Sequence, residues 1–90
     1  MRIDKFLKVS RLVLRREVAK KLCDDGDVLL NGKAAKPSSE INPGDTLVLS
    51  LGRRKVTVRI KEIRPFASKA DASSLYEIVS DESIGGSTHA

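Results

Sequence analysis

The chain has 90 residues, of which 40% are hydrophobic and 32% are charged, a composition typical of one small globular domain and not of a disordered chain. No apolar run approaches the roughly 18 residues that a membrane-spanning helix needs, and the opening residues lack the apolar segment of a signal peptide. A single cysteine and a single histidine exclude an internal disulfide and a metal cluster built from these residue types. We therefore expect a cytoplasmic protein without a cofactor.

The net charge of +5 is divided unevenly along the chain. Residues 1–21 carry eight cations against two acids, and residues 53–64 carry six cations against one acid. The segments 22–52 and 65–90 are each acidic overall. Because clustered cations are the electrostatic footprint of nucleic-acid binding, this division favours a nucleic-acid-binding surface over a charge that only keeps the protein in solution.

The first predicted helix covers residues 3–9, where apolar residues recur at helical spacing: Ile3, Phe6 and Leu7. Asp4 and Lys8 are one turn apart in this helix and are expected to pair weakly. Ser10 and the apolar residues after it predict a compact joint, with Leu12 and Leu14 as candidates for the core.

A second helix is predicted over residues 15–25. Its apolar stripe consists of Val18, Ala19, Leu22 and Cys23. Arg16 and Lys20 are four residues apart and flank that stripe together. Gly26 suits the left-handed residue that closes a helix. Cys23 is interpreted as a small buried hydrophobe, since free cysteine is among the most buried residue types.

The rest of the chain is predicted to be β. Asn31-Gly32 between two short apolar runs is a strong hairpin signal, and a polar connection with a Pro-Gly-Asp turn follows it. Two alternating strands, 46–51 and 55–60, are joined by a second hairpin at residues 52–54. A last strand is predicted over 75–80, after a loop at 65–74.

These elements predict an α+β domain over residues 1–80, with two short N-terminal helices packed on a small curved antiparallel sheet, and a flexible tail over 81–90. The second of the two paired strands places Lys55, Arg59 and Lys61 on its exposed face. Whether this basic strand binds RNA or is only a solvated sheet face stays open from the sequence.

No constellation of residues predicts catalysis. His89 lies in the predicted tail, and the acidic run at Asp24, Asp25 and Asp27 lacks the ligand spacing of a calcium loop. Arginine and lysine, in contrast, neutralise phosphates and supply most sequence-independent affinity for nucleic acids. Since Phe6 and Tyr76 fall in apolar patterns, the protein is expected to recognise a folded nucleic acid by shape and charge.

Several spaced motifs resemble the RNA-binding domain family named after ribosomal protein S4. They are an R-I-D-K-F-L opening, an arginine-rich joint, a helix that ends in glycine, a V-L-L-N-G hairpin and a K-P-S turn that ends in G-D, at residues 2–7, 11–16, 26, 28–32 and 36–45. The resemblance covers about half of the chain. Such domains are also attached to pseudouridine synthases and tyrosyl-tRNA synthetases, so the domain by itself does not define the function.

The layout of the whole chain is similar to that of the small S4-type family of bacterial ribosome quality control, which is related to the heat-shock protein of fifteen kilodaltons. What this resemblance implies is a non-enzymatic factor that binds tRNA and rRNA on obstructed large ribosomal subunits. There it would stabilise P-site peptidyl-tRNA while a partner factor adds alanines to the stalled chain. The protein would be a monomer away from the ribosome.

On the positions that match the motifs, Arg2 and Arg16 are expected to be the principal RNA contacts. Five further cations would support them: Lys5, Lys8, Arg11, Arg15 and Lys20. A DNA-binding helix-turn-helix protein is an alternative, although the second helix lacks the Asn, Gln, Ser or Thr that usually read bases. Two further alternatives are a heat-shock-type recycling factor for large ribosomal subunits and an accessory protein of an RNA-modifying enzyme.

Overall fold

The structure is a computed structural model that describes residues 1–83. This part of the chain contains three helices, α1 (Ile3–Val9), α2 (Arg16–Asp24) and α3 (Lys69–Ala72), with a 3₁₀ turn at Ser73–Leu75 after α3. The strands are β1 (Val28–Leu30), β2 (Lys33–Ala34), β3 (Thr46–Leu51), β4 (Arg54–Ile60) and β5 (Tyr76–Ser83). They form one antiparallel sheet in the order β2-β1-β3-β4-β5, which confirms the predicted α+β fold class.

The two predicted hairpins are present and have the expected turn chemistry. Between β1 and β2, Asn31 and Gly32 have φ values of 51° and 88°, and two positive φ values are what a tight hairpin that follows the right-handed twist of its strands requires. The turn from β3 to β4 contains Gly52, whose φ is 63°. Local hairpins therefore join β1 to β2 and β3 to β4, whereas β1 pairs with β3 across the longer connection at residues 35–45.

The core lies between one face of the sheet and the two N-terminal helices. Leu47 and Leu49 of β3 stand opposite Val58 and Val56 of β4, and all four side chains are buried. The buried side chains that α1 contributes to the same cluster are Ile3, Phe6 and Leu7. Since burial of one large apolar side chain stabilises a fold by about 1.5–3 kcal/mol, this shared cluster fixes α1 on the sheet.

Two apolar side chains that were predicted to be buried are exposed. Leu14 is 81% exposed, and the neighbouring Val13 takes its place in the core. The Val13 amide donates to the Leu7 carbonyl at 3.0 Å, and this bond fixes which side of the joint faces inward. In α2, Val18 is exposed as well, because the helix buries only the narrow strip of Ala19 and Cys23.

The C-terminal part of the described chain also differs from the prediction. The predicted loop at 65–74 contains α3, which begins after Ser68, whose hydroxyl accepts a hydrogen bond from the Asp71 amide at 3.1 Å. Strand β5 extends to Ser83, so the first three residues of the predicted flexible tail belong to the sheet. Residues 84–90 of that tail lie outside the described residues. None of the described helices is long and apolar enough to span a membrane.

Candidate nucleic-acid interface

A fully buried carboxylate, Asp4 of α1, lies between two arginines. Arg2 Nε is 3.2 Å from Asp4 Oδ1, and Arg2 Nη2 donates a hydrogen bond to Oδ2 at 3.3 Å. Arg16 Nη2, which comes from α2, donates to Asp4 Oδ1 at 3.3 Å. The Lys5 amide donates to the same oxygen at 2.8 Å. The predicted pairing of Asp4 with Lys8 was therefore wrong.

The pKa of Asp4 results from opposing influences. Burial is the largest of them and raises the pKa, because it disfavours the charged form. The hydrogen bond and charge of Arg16, the charge of Arg2 and the Lys5 amide act in the other direction and together lower the pKa below its usual value of 3.8. Asp4 is thus ionised at neutral pH, and the three side chains carry a net charge of +1.

Both arginines keep a large part of their side chains in solvent. The exposed fraction is 47% for Arg2 and 40% for Arg16. The buried Arg16 Nε is 3.3 Å from Asp4 Oδ2 but makes no hydrogen bond there, so Nη2 carries the directional contact. A guanidinium has five N–H donors, and Asp4 uses only some of them. The outward donors are available to bind the two oxygens of a phosphate.

The backbone on either side of Arg2 is bound to the segment that follows β2. The Ile3 amide donates to the Ser39 carbonyl at 2.8 Å, and the Ile41 amide donates to the Met1 carbonyl at 3.0 Å. The segment 36–41 therefore fixes the position from which the Arg2 side chain extends. This contact gives a structural reason why the opening motif and the K-P-S turn occur together.

The other five predicted site residues lie on α1, on α2 and in the joint between these helices. Lys20 is one turn after Arg16 on α2, and Arg15 directly precedes that helix. Lys8 and Arg11 line an open groove near the end of α1. Within residues 1–83, no carboxylate lies within 4 Å of the charged groups of Lys5, Lys8, Arg11, Arg15 or Lys20.

The basic strand β4 has a different environment. Arg54 Nη2 is 2.6 Å from Asp81 Oδ2, and Arg59 Nη1 is 3.3 Å from Glu77 Oε1. The hydrogen bond to Asp81 and the charge of that residue raise the pKa of Arg54. Lys55 stands opposite a further acid, Glu82, in the register of β4 and β5. The cations of β4 therefore face a row of carboxylates, which the sequence did not reveal.

Cys23 is a buried thiol, as predicted. Burial, and then the charges of Asp4 and Asp24, raise its pKa to about 11, so it is protonated and unreactive at neutral pH. Among the described residues there is no group of three His, Cys, Asp or Glu side chains that could hold a metal ion. His89 lies outside the part of the chain that the structure describes.

Two residues of this surface were missed by the sequence prediction. The sequence predicts only a weak pairing of Asp4 with Lys8, although Asp4 lies beside Leu7 on the helical wheel and is fully buried. Phe66 was not singled out, because it lies in a segment without periodicity. Its ring centroid is 5.7 Å from the Lys5 ammonium, which places it next to the predicted site.

The family assignment follows from comparison with known proteins. The S4 domain family matches residues 1–47, which contain α1, the joint, α2 and the first hairpin. The chain is also 45% identical over 85 residues to the RQC P-site tRNA stabilizing factor of Bacillus subtilis, and the alignment covers 94% of this chain and 99% of that protein. The chain belongs to the S4 domain family, in the group of the RQC P-site tRNA stabilizing factors.

Two solved structures show the same arrangement as this S4 domain protein. Heat Shock Protein 15 of Vibrio cholerae matches with a TM-score of 0.83 and 30% identity, over 88% of this chain and 81% of that chain. The structure of a hypothetical protein, HP1423, matches with a TM-score of 0.77 and 36% identity, over 91% of this chain and 100% of that chain. Both resemblances that the sequence suggested are therefore confirmed.

Proposed function

We propose that this S4 domain protein is a non-enzymatic RNA-binding factor of ribosome quality control. It binds tRNA and rRNA on obstructed large ribosomal subunits and stabilises the P-site peptidyl-tRNA. The name of the Bacillus subtilis relative, which is almost fully covered by this chain, supports this proposal. The charge distribution on α1 and α2 supports it from the structure.

The observation that carries the proposal is the pair of arginines ordered by one buried carboxylate. Arg2 and Arg16 belong to different elements, and Asp4 holds both guanidiniums within 3.3 Å of its oxygens. A side chain that is already ordered loses less entropy on binding than a free one, which costs about 0.5–1.5 kcal/mol to immobilise. Because Arg2, Asp4 and Arg16 together carry a net positive charge, the group favours binding of a phosphate.

Four exposed cations without a carboxylate partner in the described chain extend this surface: Lys8, Arg11, Arg15 and Lys20. With Lys5 and the two arginines, they could neutralise on the order of 5–7 phosphates. A backbone-directed surface of this kind suits folded RNA, whose phosphates are presented in a fixed geometry.

The proposal extends to the setting in which the protein acts. We infer that it works in the cytoplasm together with a factor that adds alanines to the C terminus of the stalled chain. We further propose that it needs no cofactor and is a monomer before it binds the ribosome. The partner would approach a large subunit on which the tRNA is already held by the surface around Asp4.

Sedimentation of the tagged protein with ribosomal fractions tests the proposal. We expect the wild-type protein to accompany free large subunits and not intact ribosomes. A variant with Lys8→Ala, Arg11→Ala and Lys20→Ala should remain at the top of the gradient. The matched control removes the same charge from the other basic region, with Arg53→Ala, Lys55→Ala and Lys61→Ala, and should sediment like the wild type.

Two results would contradict the proposal. Wild-type protein that stays unbound in every fraction would exclude stable binding to large subunits. Equal loss of both triple variants from the large-subunit fraction would show that total charge, and not the surface around Asp4, directs the binding.

A further inference from the structure

Two large apolar side chains are exposed side by side at the edge of the cationic surface. Leu14 lies in the joint between α1 and α2, and Phe66 lies in the segment between β4 and α3 and is 83% exposed. Both line the open groove that also contains Lys8 and Arg11, and the volume of the groove is about 160 Å³. An exposed apolar pair beside a binding surface indicates a contact that the fold itself does not need.

The groove is cationic as well as apolar. Lys8 and Arg11 are part of its lining, and none of the described residues that line it is acidic. The Lys5 ammonium lies over one face of the Phe66 ring, 5.7 Å from its centroid. Because Phe66 is exposed, the opposite face of the ring is open to a partner.

We propose that this groove, which we call the Phe66 groove, binds an unpaired RNA base. The base stacks on the ring of Phe66, and Lys8 and Arg11 neutralise the phosphates on either side of it. This inference rests on the proposed RNA-binding function and deepens it. It also revises the expectation that the protein recognises RNA by backbone shape and charge alone.

The size and the charge of the groove favour a base over a protein segment. Pockets for drug-sized ligands have volumes of about 300–1,000 Å³, so a groove of 160 Å³ suits one planar ring system. A nucleotide combines such a ring with a phosphate, and the lining combines an aromatic ring with cations. Unpaired bases splayed from folded RNA are commonly bound in this way, by stacking on aromatic side chains.

The test compares two RNA hairpins that differ only in one unpaired adenine, bound to the full chain at equal salt. Wild-type protein should bind the hairpin with the unpaired adenine more tightly than the fully paired one. Phe66→Ala should weaken binding to the former by roughly 5- to 150-fold, since loss of one stacked base costs about that much, and should leave binding to the latter unchanged. Phe66→Trp, which keeps an aromatic ring, should retain the preference.

The results that would contradict base binding in the Phe66 groove differ from those that would contradict the proposed function. If wild-type binding is salt-dependent but Phe66→Ala binds both hairpins as the wild type does, the Phe66 groove does not hold a base. Equal weakening on both hairpins would overturn the inference too. If Phe66→Ala binds RNA normally yet no longer sediments with large subunits, the groove contacts a protein instead. A wild-type protein that binds neither hairpin would overturn the proposed function and this inference together.

Discussion

The two basic regions of the molecule carry almost the same excess of positive charge but have different surroundings. Residues 1–21 have a net charge of +6 and residues 53–64 a net charge of +5. In the first region, five of the eight cations lie on helices and a joint without a nearby carboxylate in the described part of the chain. Arg2 and Arg16 share the buried Asp4, and Lys21 pairs with the exposed Asp25. In the second, Arg54 and Arg59 are paired across the sheet with acids of β5. We therefore expect the first region, most of whose cations have no nearby counter-charge among the described residues, to be the one that binds RNA.

The carboxylates of the two regions also have different structural roles. Asp4 is buried and orders two arginines from separate elements, so its contacts join α1 to α2. Asp81 and Glu77 are exposed, and ion pairs at an exposed surface contribute only about 0–1 kcal/mol to stability. The first arrangement orders two arginines that we propose bind RNA, whereas the second pairs Arg54 and Arg59 with exposed acids.

The largest effect is expected from removing the charge of Asp4. Asp4→Asn should lower the free energy of unfolding by about 2 kcal/mol, because hydrogen bonds to charged groups contribute about 1.5–3 kcal/mol each and the amide retains only part of them. It should also weaken RNA binding, since Arg2 and Arg16 lose their common anchor. Urea denaturation and RNA titration at neutral pH measure the two effects. Asp81→Asn, which breaks an exposed pair, is the matched control and should change stability by less than about 1 kcal/mol.

The pH dependence of the stability of Asp4→Asn tests whether Asp4 acts as an ionised anchor. Since the folded-state pKa of Asp4 lies below 3.8, its contribution to stability is present above that pH and is lost as the pH falls through the folded-state value. The stabilities of the wild type and Asp4→Asn should therefore differ by a constant amount down to about pH 4 and converge in stronger acid. A difference that disappears near neutral pH would mean that Asp4 is not an ionised anchor.

A smaller effect is expected at Arg11, where charge and stability can be separated. Its φ of 61° lies in the left-handed region, which glycine adopts without strain and arginine does not. Arg11→Gly removes about 1–2 kcal/mol of backbone strain but adds about 0.5–1 kcal/mol of chain entropy, so stability should be unchanged or slightly raised. RNA affinity should nevertheless fall, because the variant loses the phosphate contact that Arg11 would make. Thermal melting and RNA titration of the same sample check both statements, and unchanged affinity would remove Arg11 from the interface.

The parts of the fold that follow from local chemistry were predictable. The periodicity of α1 gave its bounds, and Asn31-Gly32 gave the first hairpin. The joint between α1 and α2 has no period, so nothing local showed that Val13 and not Leu14 is buried. Helix α3 has only four residues, too few for a hydrophobic pattern, although Ser68 and Asp71 together form a recognisable helix start.

The candidate site was predictable as a set of cations but not as an arrangement. The contact of Arg16 with Asp4 depends on how α2 packs against α1. The two residues are 12 positions apart in the chain, so no local pattern predicts that they meet. The pairing of β4 with β5 depends on a register that shifts between Thr57 and Val58, which no local pattern shows. Phe66 lies outside any periodic element, so its exposure beside Lys5 could be seen only in the folded chain. The seven cations stay predicted contacts.

The salt dependence of RNA binding by the two triple variants shows which basic region contacts the phosphates. A double-logarithmic plot of affinity against salt concentration has a slope of about −0.7 to −0.9 per neutralised phosphate. We expect Lys8→Ala, Arg11→Ala and Lys20→Ala together to reduce the steepness by about 2–3 on structured RNA. We expect Arg53→Ala, Lys55→Ala and Lys61→Ala to leave it near the wild-type value. Equal reductions in the two variants, or a larger one in the second, would show that the basic region at residues 53–64 binds the phosphates, contrary to this expectation.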